Sequence, residues 1–129
     1  NYSSLLTDCV DVGILISVGA EVLADSTRLK AGTAQKMVLN MLSTATMILM
    51  GKVYQNRMVD LQVNNKKLLK RALEMVTDLG EISSETAYKL LTESGNHVKT
   101  AVVMAKLDIN AKEAKQRLRT VDGKLNEII

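Results

Sequence analysis

Only residues 12–18 (VGILISV) have the short, apolar, β-branched character of a buried strand, and one strand cannot make a sheet. The segment does not alternate, so it is expected to be covered on both faces. Its pairing partners would then have to come from another copy, or from sequence outside these 129 residues. The rest reads as helix and connector. Three Tyr, no Phe, no Trp and no Pro, set against seven Met, favour helices packed through aliphatic side chains.

Residues 1–12 read as an entry loop or a short helical turn. Residues 27–50 carry a helical pattern through Val38, Met41, Leu42, Ala45, Ile48 and Leu49, with Met37, Leu39, Met47 and Met50 adding apolar surface elsewhere. A helix apolar nearly all round is expected to be central and covered on several sides, with Gly51 as its stop. Residues 59–63 alternate and are predicted to be extended. A further helix is predicted over 65–79, ended by Gly80, with Leu68, Leu69, Ala72, Val76 and Leu79 inward. Three short helices should follow over 84–94, 96–107 and 110–120. Asn96 is a candidate N-cap, Asn110 with Glu113 a candidate capping box, and Ile109 with Ala114 a staple. In the middle helix Val98, Ala101, Val102 and Ala105 share a face, and Leu125, Ile128 and Ile129 close the chain on one side. Three such helices with tight turns make a small bundle of the ubiquitin-associated (UBA-like) type, a shape with no activity of its own. The fold class expected is therefore mainly α.

Between the strand-like segment and the long helix lies the densest chemistry: Glu21, the hydroxyls Ser26 and Thr27, the cations Arg28, Lys30 and Lys36, and Gly32. Strand, polar loop and helix in that order place these groups where unpaired N–H groups and the positive dipole end suit an anion such as phosphate. On the residues alone an ordinary Ser/Thr helix cap with a solvated basic face is the simpler reading.

Other functions are disfavoured. A net charge of +3 is small and spread along the chain, and base stacking would call for more rings. Lys66, Lys67, Lys70 and Arg71 read as a solvated helix face. The single Cys9 cannot form an internal disulfide and is expected to be a small buried residue in a reducing, cytoplasmic setting. His97 has no converging partners for a metal, and no metal or cofactor is expected. No secretory signal opens the chain. The apolar run 37–50 is shorter than a membrane span and broken by Asn40, Ser43, Thr44 and Thr46, so a soluble protein is expected.

The run STRLKAGTAQKMVLNMLSTATMILMGKVYQNRMVDLQ, continued by NNKKLLKRALEMV and the three-helix tail, resembles the C-terminal half of the N-acetylmuramic acid 6-phosphate etherases. These belong to the sugar isomerase (SIS) superfamily of phosphosugar-binding α/β domains. The glucokinase regulatory protein, a non-enzymatic relative, shares parts of the pattern. The resemblance implies that 1–63 is the C-terminal part of an SIS sandwich, contributing its late strand and the helix after it. Residues 64–82 would be a connecting helix and 83–129 the UBA-like bundle. It implies cleavage of the D-lactyl ether of N-acetylmuramate 6-phosphate to N-acetylglucosamine 6-phosphate and D-lactate, by elimination and water addition, in a cytoplasmic bacterial homodimer.

On the matching positions, the resemblance implies a sugar-facing Glu21 that binds hydroxyls or helps proton transfer; a helix-entry carboxylate beside the dipole is the alternative reading of the same residue. Ser26 and Thr27 would bring hydroxyls or N–H groups to the ligand, and Lys30 and Lys36 charge. The family commonly has proline where this chain has Ala20, glycine where it has Asp25, and in many members glutamate where it has Leu15. The principal acid/base glutamates lie in the family's upstream half, so these residues alone are expected to be inactive. A non-catalytic phosphosugar sensor and a helical interaction module are the competing readings. An unpaired strand and an apolar helix should also make the isolated chain self-associate.

Overall fold

The computed structural model describes residues 4–129; of the expected entry segment, positions 1–3 lie outside the described residues. The chain is mainly helical and forms two compact units, divided between Thr44 and Ala45.

The first unit holds the short helix α1 (Leu5–Asp8), an irregular segment, and most of α2 (Lys30–Leu49), which continues past the division. The strand expected over 12–18 does not form: the backbone there has no ladder, and Val12 is 76% exposed. A β-strand is stabilised by its neighbours' hydrogen bonds, and no described segment lies beside this one to supply them. The same lack undoes the expected covering of the long helix, because α2 buries no residue and leaves Met37, Leu39, Met41 and Leu49 in solvent. The helix also starts at Lys30, not Thr27, since residues 27–29 are taken up in turns. Cys9, expected inside, is exposed.

The second unit has a true core. After α2 comes a small antiparallel hairpin, β1 (Val53–Tyr54) and β2 (Arg57–Met58), with Val53 opposite Met58. Four helices follow: α3 (Lys66–Gly80), α4 (Ser84–Glu93), α5 (Val98–Leu107) and α6 (Ala111–Thr120), then a final 3-10 turn, Leu125–Glu127. The central rod is α5, not α2. Val98, Thr100, Ala101, Val102, Val103 and Met104 are all buried in it. It packs against α3, α4 and α6, with Ala72, Val76, Leu91 and Leu118 closing around it. Small and β-branched residues suit α5 to this place, because they let neighbouring helices approach closely. At Gly80 an added Cβ would lie 3.0 Å from the Cβ of Ala105.

Several boundaries shift by a residue or two. Gly80 is still helical, and the left-handed cap that ends α3 is Glu81 (φ 55°). Its carboxylate reaches Lys106 at 2.7 Å and is held below the ordinary carboxylate range by that hydrogen bond. Asn96 adopts φ 63° in the turn, so the N-cap of α5 is His97. Asn110 does cap its helix, through the N–H of Glu113 as the spacing predicts, and Asn65 and Ser83, not singled out in the sequence, cap α3 and α4. Residues 59–63 form no strand, although Val59 is buried in the core. Among the described residues no helix is long and apolar enough to cross a membrane.

Candidate functional site

The sequence-predicted polar turn lies in the first unit, at the start of α2. Glu21 folds back onto the helix nine residues ahead of it. Its Oε2 accepts the N–H of Lys30 and its Oε1 the N–H of Ala31, each at 3.0 Å. An α-helix opens with four N–H groups that lack intrahelical acceptors, and this side chain satisfies two with one carboxylate. The next, on Gly32, donates to the carbonyl of Thr27 at 3.0 Å, and the N–H of Leu29 to that of Ser26 at 3.3 Å. The N–H of Ala31 most strongly, then that of Lys30, hold the Glu21 carboxyl below its ordinary pKa, with the nearby Lys30 charge adding to the effect. Glu21 is therefore an anion at neutral pH. It occupies the position that a helix N-terminus would otherwise offer to a ligand's anion.

That arrangement decides what the neighbouring hydroxyl residues can offer. The N–H of Ser26 donates to the carbonyl of Leu23 at 3.1 Å, and the N–H of Thr27 to that of Asp25 at 3.2 Å. Both amides are spent inside the turn. What remains are the two side-chain hydroxyls, Ser26 half-buried and Thr27 exposed, neither hydrogen-bonded among the described residues. Asp25 takes φ 63°, a conformation that Asp tolerates better than most residues and that glycine adopts freely.

The two lysines part company. Lys30 begins the helix beside Glu21, with its Nζ 3.8 Å from where a Cβ on Gly19 would stand. Lys36 is six residues on, about 9 Å along the axis and turned roughly 240° away at 3.6 residues per turn. Glu21, Ser26, Thr27 and Lys30 thus share one turn, and Lys36 does not. Ala20 lies next to Glu21 in the irregular approach, and Leu15 is exposed. Among the described residues no three His, Cys, Asp or Glu side chains gather as a metal ion would require.

The second unit holds a residue that the sequence did not single out. Lys99 of α5 is 15% exposed, and its ammonium donates to the carbonyls of Gly123 at 3.0 Å and Gly51 at 3.2 Å, with Asp60 at 3.6 Å. The only sequence signal for it is a lone cation inside the apolar run 98–105.

Comparison with known proteins bears on the whole chain. Residues 55–97 match the model of the C-terminal lid domain of glucokinase regulatory protein. All 129 residues align with N-acetylmuramic acid 6-phosphate etherase 1 of Bacillus licheniformis at 44% identity, covering 42% of that protein. The etherase of an Exiguobacterium species is 46% identical over the same 129 residues, 44% of its length. That of Cutibacterium acnes is 47% identical over 95% of this chain and 40% of its own. The chain spans about two fifths of the length of these curated relatives, the C-terminal part, and resembles it from end to end.

Proposed function

We propose that this chain is the C-terminal part of an N-acetylmuramic acid 6-phosphate etherase, a bacterial cytoplasmic homodimer that splits the sugar's D-lactyl ether to N-acetylglucosamine 6-phosphate and D-lactate. The observation that carries the proposal is identity of 43–47% to curated etherases over 94–100% of the chain. In this reading residues 1–63 complete an SIS-type sandwich, 64–82 connect, and 83–129 form a UBA-like bundle. The bare segment 12–18 and the uncovered α2 are then surfaces that the rest of a sandwich would cover. Their exposure supports the reading, because apolar area of this extent is seldom left in water.

Eliminating the ether requires a base for the proton beside the carbonyl and an acid for the departing lactate oxygen. The two N–H groups on Glu21 keep it ionised and weaken it as a base, which supports the role of hydrogen-bond acceptor and argues against proton donor. The acid belongs among the glutamates expected upstream, and the 129 residues alone are inactive. Ser26 and Thr27 offer hydroxyls to the sugar phosphate, and Lys30 offers charge to its phosphate. Lys36, on another side of the helix, fits contact with a different part of the ligand or with the partner subunit.

One observation favours a second reading: the match of 55–97 to the lid of a regulatory protein suits a phosphosugar sensor that binds without turnover. Incubating the protein that contains this chain with N-acetylmuramate 6-phosphate separates the two. Release of D-lactate, lowered in Glu21→Gln and Ser26→Ala, supports the etherase. Saturable binding with no D-lactate supports the sensor and overturns the first reading.

A further inference from the structure

Resting on the reading of this first-unit turn as part of an etherase's phosphosugar site, we propose that Arg28 grips the phosphate of the ligand. It thereby sets the preference for a 6-phosphorylated sugar over the same sugar without phosphate.

The start of α2 gives an anion almost nothing from the backbone. The amides of Ser26, Thr27, Leu29 and Gly32 donate to carbonyls of the turn at 3.0–3.3 Å, and those of Lys30 and Ala31 to the Glu21 carboxylate at 3.0 Å. Glu21 also sets its negative charge at the helix end that would otherwise draw a phosphate. Recognition of a phosphate in this turn therefore falls to side chains.

The three cations are not equivalent. Lys36 lies on another side of the helix. Lys30 stands beside Glu21, and its charge helps to hold that carboxyl below its ordinary pKa, so it is already set against an acid of the protein itself. Arg28 is exposed, and neither its guanidinium nor its N–H has a partner among the described residues. It follows directly on Ser26 and Thr27, whose hydroxyls are open as well.

Geometry, not bulk charge, then selects the ligand. Glu21 and Asp25 set against Arg28 and Lys30 leave the turn without net charge, so an anion is not drawn here by a broad positive surface. Directed hydrogen bonds remain. A guanidinium meets two phosphate oxygens with two parallel N–H groups, which an ammonium cannot do, and the hydroxyls of residues 26 and 27 supply donors to a third oxygen. A sugar that ends in a hydroxyl offers the fork no such match.

The test titrates the protein that contains this chain with N-acetylglucosamine 6-phosphate and with N-acetylglucosamine, unsubstituted and as Arg28→Ala and Arg28→Lys. An exposed side chain without partners can be replaced with little effect on folding, so lost binding reports the site. Arg28→Ala should weaken binding of the 6-phosphate about tenfold or more, the effect of a lost hydrogen bond to a charged group. Arg28→Lys should weaken it less, and neither variant should change the affinity for the unphosphorylated sugar. Undiminished affinity in Arg28→Ala, an equal loss for both sugars, or no binding of the 6-phosphate by the unsubstituted protein overturns the proposal. Release of D-lactate from N-acetylmuramate 6-phosphate judges the etherase reading separately. Release with unchanged affinity in Arg28→Ala defeats the role of Arg28 alone; binding that depends on Arg28, without release, defeats the etherase reading alone.

Discussion

Gly51 follows α2, at φ 65°, and an added Cβ there would lie 2.8 Å from Cγ of Lys124, 3.1 Å from its Cα and 3.3 Å from the carbonyl oxygen of Gly123. The Lys124 side chain can swing aside, but the other two contacts are backbone and cannot. Gly95 supplies the comparison. It too has positive φ, at 76°, but a Cβ there would meet only the His97 ring at 3.8 Å. The left-handed conformation costs a residue with a Cβ about 1–2 kcal/mol, while alanine stiffens the unfolded chain and returns about 0.4–1 kcal/mol. Gly95→Ala should therefore cost about 1 kcal/mol. Gly51→Ala adds the overpacking, about 1–3 kcal/mol, and should cost about 2–4 kcal/mol in all. Urea unfolding followed by far-ultraviolet circular dichroism, with the slope held constant, reads the difference as a lower midpoint. Equal midpoints for the two variants would refute the reasoning, because they would mean that the contacts to residues 123 and 124 carry no energy.

The remaining expectations concern the carboxylate, the core and the clamp. The Glu21 pKa is lowered, so its support for the first turn of α2 is complete above the ordinary carboxylate range and is lost as pH falls through the lowered value. The amide signals of Lys30 and Ala31 should move with that acid step and lose it in Glu21→Gln; a step at or above the ordinary value contradicts the geometry. Leu91 is 1% exposed in the core, and Leu91→Ala should cost about 2–5 kcal/mol in thermal or urea unfolding; under 1 kcal/mol would mean the site collapses or is not packed as described. Lys99→Met strands two carbonyls beside a carboxylate and should cost about 1–3 kcal/mol, with Lys99→Arg recovering part; no loss in the Met variant removes the clamp. The uncovered apolar face of α2 should drive concentration-dependent association in sedimentation, and a monomer at every concentration contradicts it.

How far the sequence could be read depended on whether each pattern answers to local or to remote partners. The helices of the second unit were legible because their signals are local. Asn110 caps from within the first turn as its spacing with Glu113 announces, and apolar spacing marks α3 and α5; the caps Asn65 and Ser83 were not singled out, and Asn96 was one residue early. The strand-like run 12–18 and the apolar α2 were legible as patterns but not as structure, since what they ask for is burial and pairing that the described residues do not supply. At the site, the cluster of Glu21, Ser26, Thr27 and Lys30 was visible in composition. That Glu21 would take the helix N-terminus was legible only as one of two readings, because an acceptor nine residues away leaves no periodic trace. Lys99 was missed for the same reason: its partners lie 48 and 24 residues off. The hairpin at 53–58 escaped because two-residue strands are too short to show alternation.

Under the proposed function, these residues do the work of the C-terminal two fifths of an etherase. Its most direct test is a chimera that joins the upstream part of the Bacillus licheniformis relative to this chain, assayed for D-lactate from N-acetylmuramate 6-phosphate beside either part alone. The chimera should turn over, the 129 residues on their own should not, and the Glu21→Gln chimera should show a marked loss. A folded chimera that releases no D-lactate, or an isolated chain that does, contradicts the proposed function.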